Sequence, residues 1–208
     1  MQNKLLSSIQ KQVEQAVSIL KEGGIVAFPT DTVYGLGASI TLPQAVARVY
    51  EVKKRPKNRP LPLLLADKSQ LSEVAEAVPP IAWFLAEKFL GGLTMVLFKS
   101  KVVPDIVSSG GKTVAVRVPT HPIPIALLKG VGTPITGTSV NLSGKPSALT
   151  AEEVYNQLKN KVDLVIDGGK CPGGKESTIV DLTGETPRIL REGAISREEL
   201  EGAYRHWR

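Results

Sequence analysis

The chain has 208 residues, of which 42% are hydrophobic and 22% charged, a composition that supports one well-buried core and excludes a disordered chain. The single cysteine, Cys171, cannot form an internal disulfide, and two histidines, His121 and His206, are a poor basis for a zinc site of about four ligands. A formal net charge of +6 favours anionic partners such as nucleotides, phosphates or RNA without choosing among them.

Residues 9–22 place Ile9, Val13, Ala16, Val17 and Leu20 on one helical face, with Ser8 as the expected N-cap and Gly23-Gly24 beyond the end. The stretch carries Lys11, Glu14 and Lys21, and no apolar run approaches the roughly 18 residues of a membrane span. A reducing cytoplasm with no membrane contact is therefore expected. The apolar run Ile25-Val26-Ala27-Phe28 predicts a buried strand, and Pro29 leads from it into a polar, glycine-bearing loop, Thr30 to Gly37. A second helix is predicted from Pro43, with Ala45, Val46, Val49 and Tyr50 facing inward. It delivers the chain to Lys53–Arg59, where five of seven residues are basic. Read alone, that run is either a solvated loop or an anion site.

Strands are further expected at 61–65, 93–98, 113–118, 134–138, 163–167, 177–182 and 187–190, interleaved with helices. Thr150 with Glu153 and Ser196 with Glu199 mark two late helices through the capping-box pattern. The fold class expected is α/β, a mixed sheet with flanking helices in one domain.

Two motifs fail on inspection. Gly169 to Glu176 has the spacing of a phosphate-binding P-loop, but Glu176 stands where a magnesium-binding hydroxyl belongs, and the β-branched Ser177 to Leu182 reads as a strand where that loop needs a helix. Ser139 in Gly137-Thr138-Ser139-Val140-Asn141 resembles a nucleophile elbow without its last glycine, with His121 the only internal histidine. Ser139 and Asn141 instead end a predicted strand, where open α/β sheets place ligand sites; a plain turn built by such residues is the alternative. Lys53 and Arg55 combine a point charge with a planar fork, suited to a polyphosphate, and Arg117 and Arg191 near strand ends are further candidate anion clamps.

Taken together, Phe28 to Gly37, Lys53-x-Arg55-Pro56, Arg117-Val118-Pro119, Ser139-x-Asn141-Leu142-Ser143-Gly144, Ser177-Thr178-Ile179-Val180-Asp181 and Leu190-Arg191-Glu192-Gly193 resemble the YrdC-like threonylcarbamoyl-AMP synthase family over about residues 10–200. The resemblance implies a twisted mixed sheet around a large basic cavity, and a nucleotidyltransferase that makes threonylcarbamoyl-AMP and pyrophosphate from L-threonine, bicarbonate and ATP with magnesium. It further implies transfer of the product, by a separate tRNA threonylcarbamoyl transferase complex, to position 37 of tRNA. Thr32, Arg117 and Ser177 are then expected to bind threonine, and Lys53, Arg55, Arg59, Ser139, Asn141, Ser147 and Arg191 to face the nucleotide, with Lys53, Arg55, Ser139 and Asn141 central to catalysis.

The chain departs from its longer relatives at Arg59, where they have asparagine, and in the Leu63-Leu64-Leu65 run, where they have histidine. The C-terminal domain of those relatives is expected to be missing, leaving residues 1–208 as a single domain. The competing readings are an RNA-binding module, against which stands a basic run with no aromatic residue in it, and a paralogue with another acceptor.

Overall fold

The structure, a computed structural model, describes residues 2–207. In chain order the elements are α1 (Gln2–Lys21), β1 (Val26–Phe28), β2 (Gly35–Gly37), α2 (Pro43–Lys53), β3 (Leu63–Leu64), α3 (Leu71–Val74), α4 (Pro80–Lys88), β4 (Leu93–Phe98), α5 (Asp105–Ser108), β5 (Thr113–Arg117), α6 (Pro122–Val131), β6 (Ile135–Thr136), β7 (Thr138–Ser139), α7 (Ala151–Leu158), β8 (Leu164–Val165), β9 (Thr178–Asp181), β10 (Arg188–Arg191) and α8 (Arg197–Trp207).

The strands form two mixed sheets, ordered β7-β2-β1-β8 and β10-β9-β4-β5-β3-β6. Parallel pairing joins β1 to β8, β3 to β5 and β4 to β9, and the remaining pairs are antiparallel. The sheets meet where the strand expected over 134–138 breaks at Gly137: β6 pairs with β3 and β7 with β2. A Cβ on Gly137 would lie 2.3 Å from Leu64 Cγ, so only glycine lets the backbone pass over that leucine and change sheets. Sequence alternation marks the strands but cannot say which sheet each half joins.

Two corrections concern the first elements. Ser8 lies inside α1, which starts well before it, because no proline or glycine interrupts the preceding residues. The loop read over 30–37 ends in strand β2, whose Gly35-Leu36-Gly37 lacks the β-branched content that marks strands. By contrast, Thr150 Oγ1 accepts from the Glu153 amide at 3.2 Å and Ser196 and Glu199 bond reciprocally, so both late helices start where the capping pattern puts them.

The six-stranded sheet explains where the site lies. Leu93, Met95 and Leu97 of β4, Val114 and Val116 of β5, and Val180 of β9 enter one hydrophobic core. The alternate residues Thr94, Val96, Ala115, Arg117 and Ile179 line a cavity on the opposite face. A period of two thus puts grease on one face and a ligand surface on the other. Both faces of β1 are covered, with Ala27 in the main core and Val26 and Phe28 in a second core shared with Leu20 of α1 and Leu127 of α6.

Candidate active site

Lys53 ends α2, and Lys54 caps the helix in the left-handed conformation (φ 50°). This reversal separates the two cations on either side of Lys54: Lys53 stays on the buried helical face at 2% exposure, and Arg55 emerges past the helix end. The basic run is therefore split, with Lys53 turned inward, Arg55 half-buried, and Lys54, Lys57 and Arg59 exposed. Arg55 Nε and Nη2 donate to the carbonyls of Arg59 and Pro60 at 3.1 and 2.9 Å, shaping the turn that follows.

The Lys53 ammonium donates to Asn141 Oδ1 and to the Asn141 carbonyl, each at 2.9 Å, and to the carbonyl of Ser139. Its three protons are thus all engaged by the loop after β7, and the Ser143 amide returns a bond to the Lys53 carbonyl at 3.0 Å. Asn141 is equally committed: Oδ1 also accepts from Ser139 Oγ at 2.7 Å, and Nδ2 donates to the Lys145 carbonyl at 2.6 Å. The two motifs singled out in the sequence are one structural unit. Burial pulls the Lys53 pKa down to about 8, with Arg55 pulling the same way and Glu176 opposing.

Arg117, at the end of β5, is 6% exposed. Its Nη1 donates to Thr32 Oγ1 at 2.9 Å, and its Nη2 reaches Thr30 Oγ1 and Asp31 Oδ2 at 3.4 Å. Nε is buried and has no partner in the protein, an unmet donor of the kind a bound acceptor satisfies. Asp31 is held in turn by the Thr120 amide at 3.1 Å and the Thr120 hydroxyl. Ser177 Oγ lies 2.8 Å from Thr94 Oγ1, and the Arg191 guanidinium grips the Ser177 carbonyl through Nη2 at 2.7 Å and Nε at 3.2 Å. Gly193 permits that grip, since a Cβ there would sit 2.2 Å from the Glu176 carbonyl.

These groups surround a cavity of about 420 Å³. Lys53, Arg55, Arg59, Ser139, Asn141, Thr32, Arg117, Ser177 and Arg191 all line it. Ser147 stands one layer back, donating to Glu176 Oε1 at 2.6 Å. Five lining residues are cationic against one carboxylate, Glu176. That carboxylate is the residue the sequence reading noticed only as an obstacle to a P-loop. Its adjacency to Ser177, itself a candidate, was the available signal. The hydrolase reading fails on geometry: His121 Nδ1 accepts from the Ile123 amide at the start of α6, and Ser139 Oγ donates to Asn141. The P-loop reading fails because Thr178–Asp181 is β9.

Leu64, one of the two departures, packs into the second core beside Phe28 and Ile135, away from the cavity lining. Among the described residues no helix is long and apolar enough to cross a membrane.

The Sua5/YciO/YrdC family model, described as telomere recombination, matches residues 18–193. A threonylcarbamoyl-AMP synthase of Pyrococcus abyssi is 41% identical over 95% of this chain and 60% of its own. A putative threonylcarbamoyl-AMP synthase of Methanocaldococcus jannaschii is 36% identical over 96% of this chain and 98% of its own. The crystal structure of P. abyssi Sua5 complexed with L-threonine superposes with a TM-score of 0.89 at 43% identity, covering 92% of this chain and 56% of that one. The chain thus spans a little over half the length of the P. abyssi protein and nearly all of the M. jannaschii one. On the family match and these relatives together, the chain belongs to the Sua5/YciO/YrdC family.

Proposed function

We propose that the chain is an L-threonylcarbamoyladenylate synthase, a nucleotidyltransferase that converts L-threonine, bicarbonate and ATP into threonylcarbamoyl-AMP and pyrophosphate. The observation that carries this reading is that one cavity joins a buried, hydroxyl-rich corner holding Arg117 with its unmet Nε to a half-exposed cationic side formed by Arg55, Arg59 and Arg191. The names of the relatives and the threonine complex of P. abyssi Sua5 support the same assignment.

In this reading Arg117 pairs the threonine carboxylate, with Thr32 and Ser177 fixing the rest of the amino acid. The threonine amine attacks carbon dioxide derived from bicarbonate, forming a C–N bond and, on losing a proton, a carbamate. A carbamate oxygen then attacks the α-phosphorus of ATP, and pyrophosphate departs. No enzyme nucleophile is needed, so positioning and charge neutralisation are the protein's tasks. Arg55, Arg59 and Arg191 supply the charge. Lys53, Ser139 and Asn141 act as a braced loop that presents its remaining hydrogen-bonding groups to the nucleotide.

Among the described residues no three His, Cys, Asp or Glu side chains gather to hold a metal, and the cavity's one carboxylate is engaged by Ser147 and Arg191. That donor set suits magnesium entering on the triphosphate as part of the substrate, held mainly by phosphate oxygens.

The product would pass, in the cytoplasm, to a tRNA threonylcarbamoyl transferase complex. The RNA-binding alternative is disfavoured because Lys53 is buried and Arg55 is tied to its own turn, while the exposed Lys54, Lys57 and Arg59 have no aromatic residue among them on which a base could stack. The test is pyrophosphate release with ATP, magnesium, bicarbonate and varied threonine. Release that depends on threonine over serine is expected. No release with threonine overturns the reading, and release with another amino acid identifies a paralogue.

A further inference from the structure

Among the described residues, Glu176 is the only acidic one lining the cavity. Ser147 Oγ donates to its Oε1 at 2.6 Å, and Arg191 Nη1 donates to its Oε2. Burial alone would raise its pKa, but the Ser147 bond, the Arg191 charge, Ser139 and Lys53 outweigh burial and hold it below the usual glutamate range. It is therefore ionised at neutral pH. Of these groups, Arg191, Ser139 and Lys53 line the cavity, and Arg191 is one of the cations assigned above to the nucleotide's charge. A carboxylate offers an arginine fork and a serine hydroxyl the same acceptor chemistry that two phosphate oxygens offer.

The backbone fixes where this carboxylate can go. The Glu176 carbonyl accepts from the Ala194 amide at 2.8 Å, and Gly193 packs against it so closely that a Cβ there would lie 2.2 Å from the same carbonyl. The side chain is still 32% exposed toward the cavity, so the carboxylate can swing away while its backbone stays in place.

We propose that Glu176 is a built-in counter-anion: it holds Arg191, a cationic donor lining the cavity, yields it to an entering polyphosphate, and by competing for it keeps pyrophosphate weakly held. The inference rests on the reading of this cluster as the nucleotide's phosphate subsite. Its chemical logic is that several convergent cations with no competitor would retain a multiply charged product, and product release limits turnover in many enzymes. The carboxylate that disqualified a P-loop in the sequence thus acquires a role in the same phosphate chemistry.

The experiment titrates sodium pyrophosphate, without magnesium and with a chelator present, into the full 208-residue chain and its variants by calorimetry, with thermal melts to verify folding. Glu176→Gln is expected to bind pyrophosphate about ten-fold tighter than the parent, the effect of removing one charged competitor. Glu176→Asp, which keeps the charge, is expected to stay within about three-fold. If the glutamine variant does not fold, Glu176→Ala is read in the same way. Equal or weaker binding by the neutral variants overturns the inference alone, leaving the synthase reading in place. Absence of pyrophosphate binding in every protein, parent included, overturns the phosphate-subsite assignment and this inference with it, while the synthase reading stands or falls on the release of pyrophosphate in the turnover assay above.

Discussion

The two ends of the cavity are built on opposite plans. At the Arg117 end one guanidinium is buried against Thr30, Asp31 and Thr32, and its hydrogen bonds run to side chains. At the Lys53 end the buried cation bonds mainly to backbone carbonyls, while the cations beside it, Arg55 and Arg191, are partly exposed. A rigid side-chain frame suits a small ligand with fixed shape. A braced loop with partly exposed arginines suits a large, flexible polyanion. Since Lys53 and Arg117 are both buried, the contrast teaches that what surrounds a buried cation, side-chain hydroxyls at one end and backbone carbonyls with exposed arginines at the other, distinguishes the two ends more than burial or charge does.

Arg117→Met gives the largest effect. It strips the partner from Asp31 and empties the hydroxyl frame, so threonine-dependent turnover is expected to fall to background. Stability should drop by about 3 kcal/mol, as for other broken buried pairs, which a melt would register as a Tm lowered by roughly 6–12 °C. Turnover within a few-fold of the parent would erase the distinction between the two ends.

Lys53→Ala comes next, with turnover expected to fall by about ten-fold or more from loss of the loop brace. The same residue gives a pH signature. Its folded pKa of about 8 means the ammonium loses a proton above that pH, leaving fewer donors than its three acceptors need, so turnover should fall on the alkaline side. Lys53→Arg, charged throughout, should lack that alkaline limb. Stability runs the other way for this group. Since an unfolded lysine titrates near ~10.4, the unfolded chain binds more protons between about pH 8 and 10.4, and the Lys53 contribution rises with pH across that window. A parent profile flat to pH 10 would show that the brace does not titrate.

Arg59→Ala gives the smallest effect. Its side chain is exposed at the cavity rim, so KM for ATP is expected to rise about three-fold at low salt and less at high salt, because solvent screens such charges. A ten-fold effect independent of salt would place Arg59 with the buried group.

Local patterns were legible in the sequence where one residue decides them. The strand expected over 93–98 matches β4 over its full length, Pro43 marks the start of α2, and the paired capping residues mark α7 and α8. Nearly all the candidate site residues proved to share one cavity because family motifs carry spatial information that single residues lack. What stayed hidden depends on contacts distant in sequence. Nothing local tells that Gly137 passes over Leu64, that the Lys53 ammonium turns toward carbonyls 86 and 88 residues away, or that Glu176 faces the cations instead of solvent.

Those long separations have a kinetic consequence. Arg117 reaches Thr32 across 85 positions, and the Lys53 bonds span a similar distance, so neither end of the cavity can form from a contiguous fragment. Closing those long loops costs chain entropy that only the assembled contacts offset, so topology of this kind slows folding relative to locally connected folds. A ligand that binds only the assembled cavity then stabilises the whole chain by mass action, and its effect on Tm reports folding of both sheets at once.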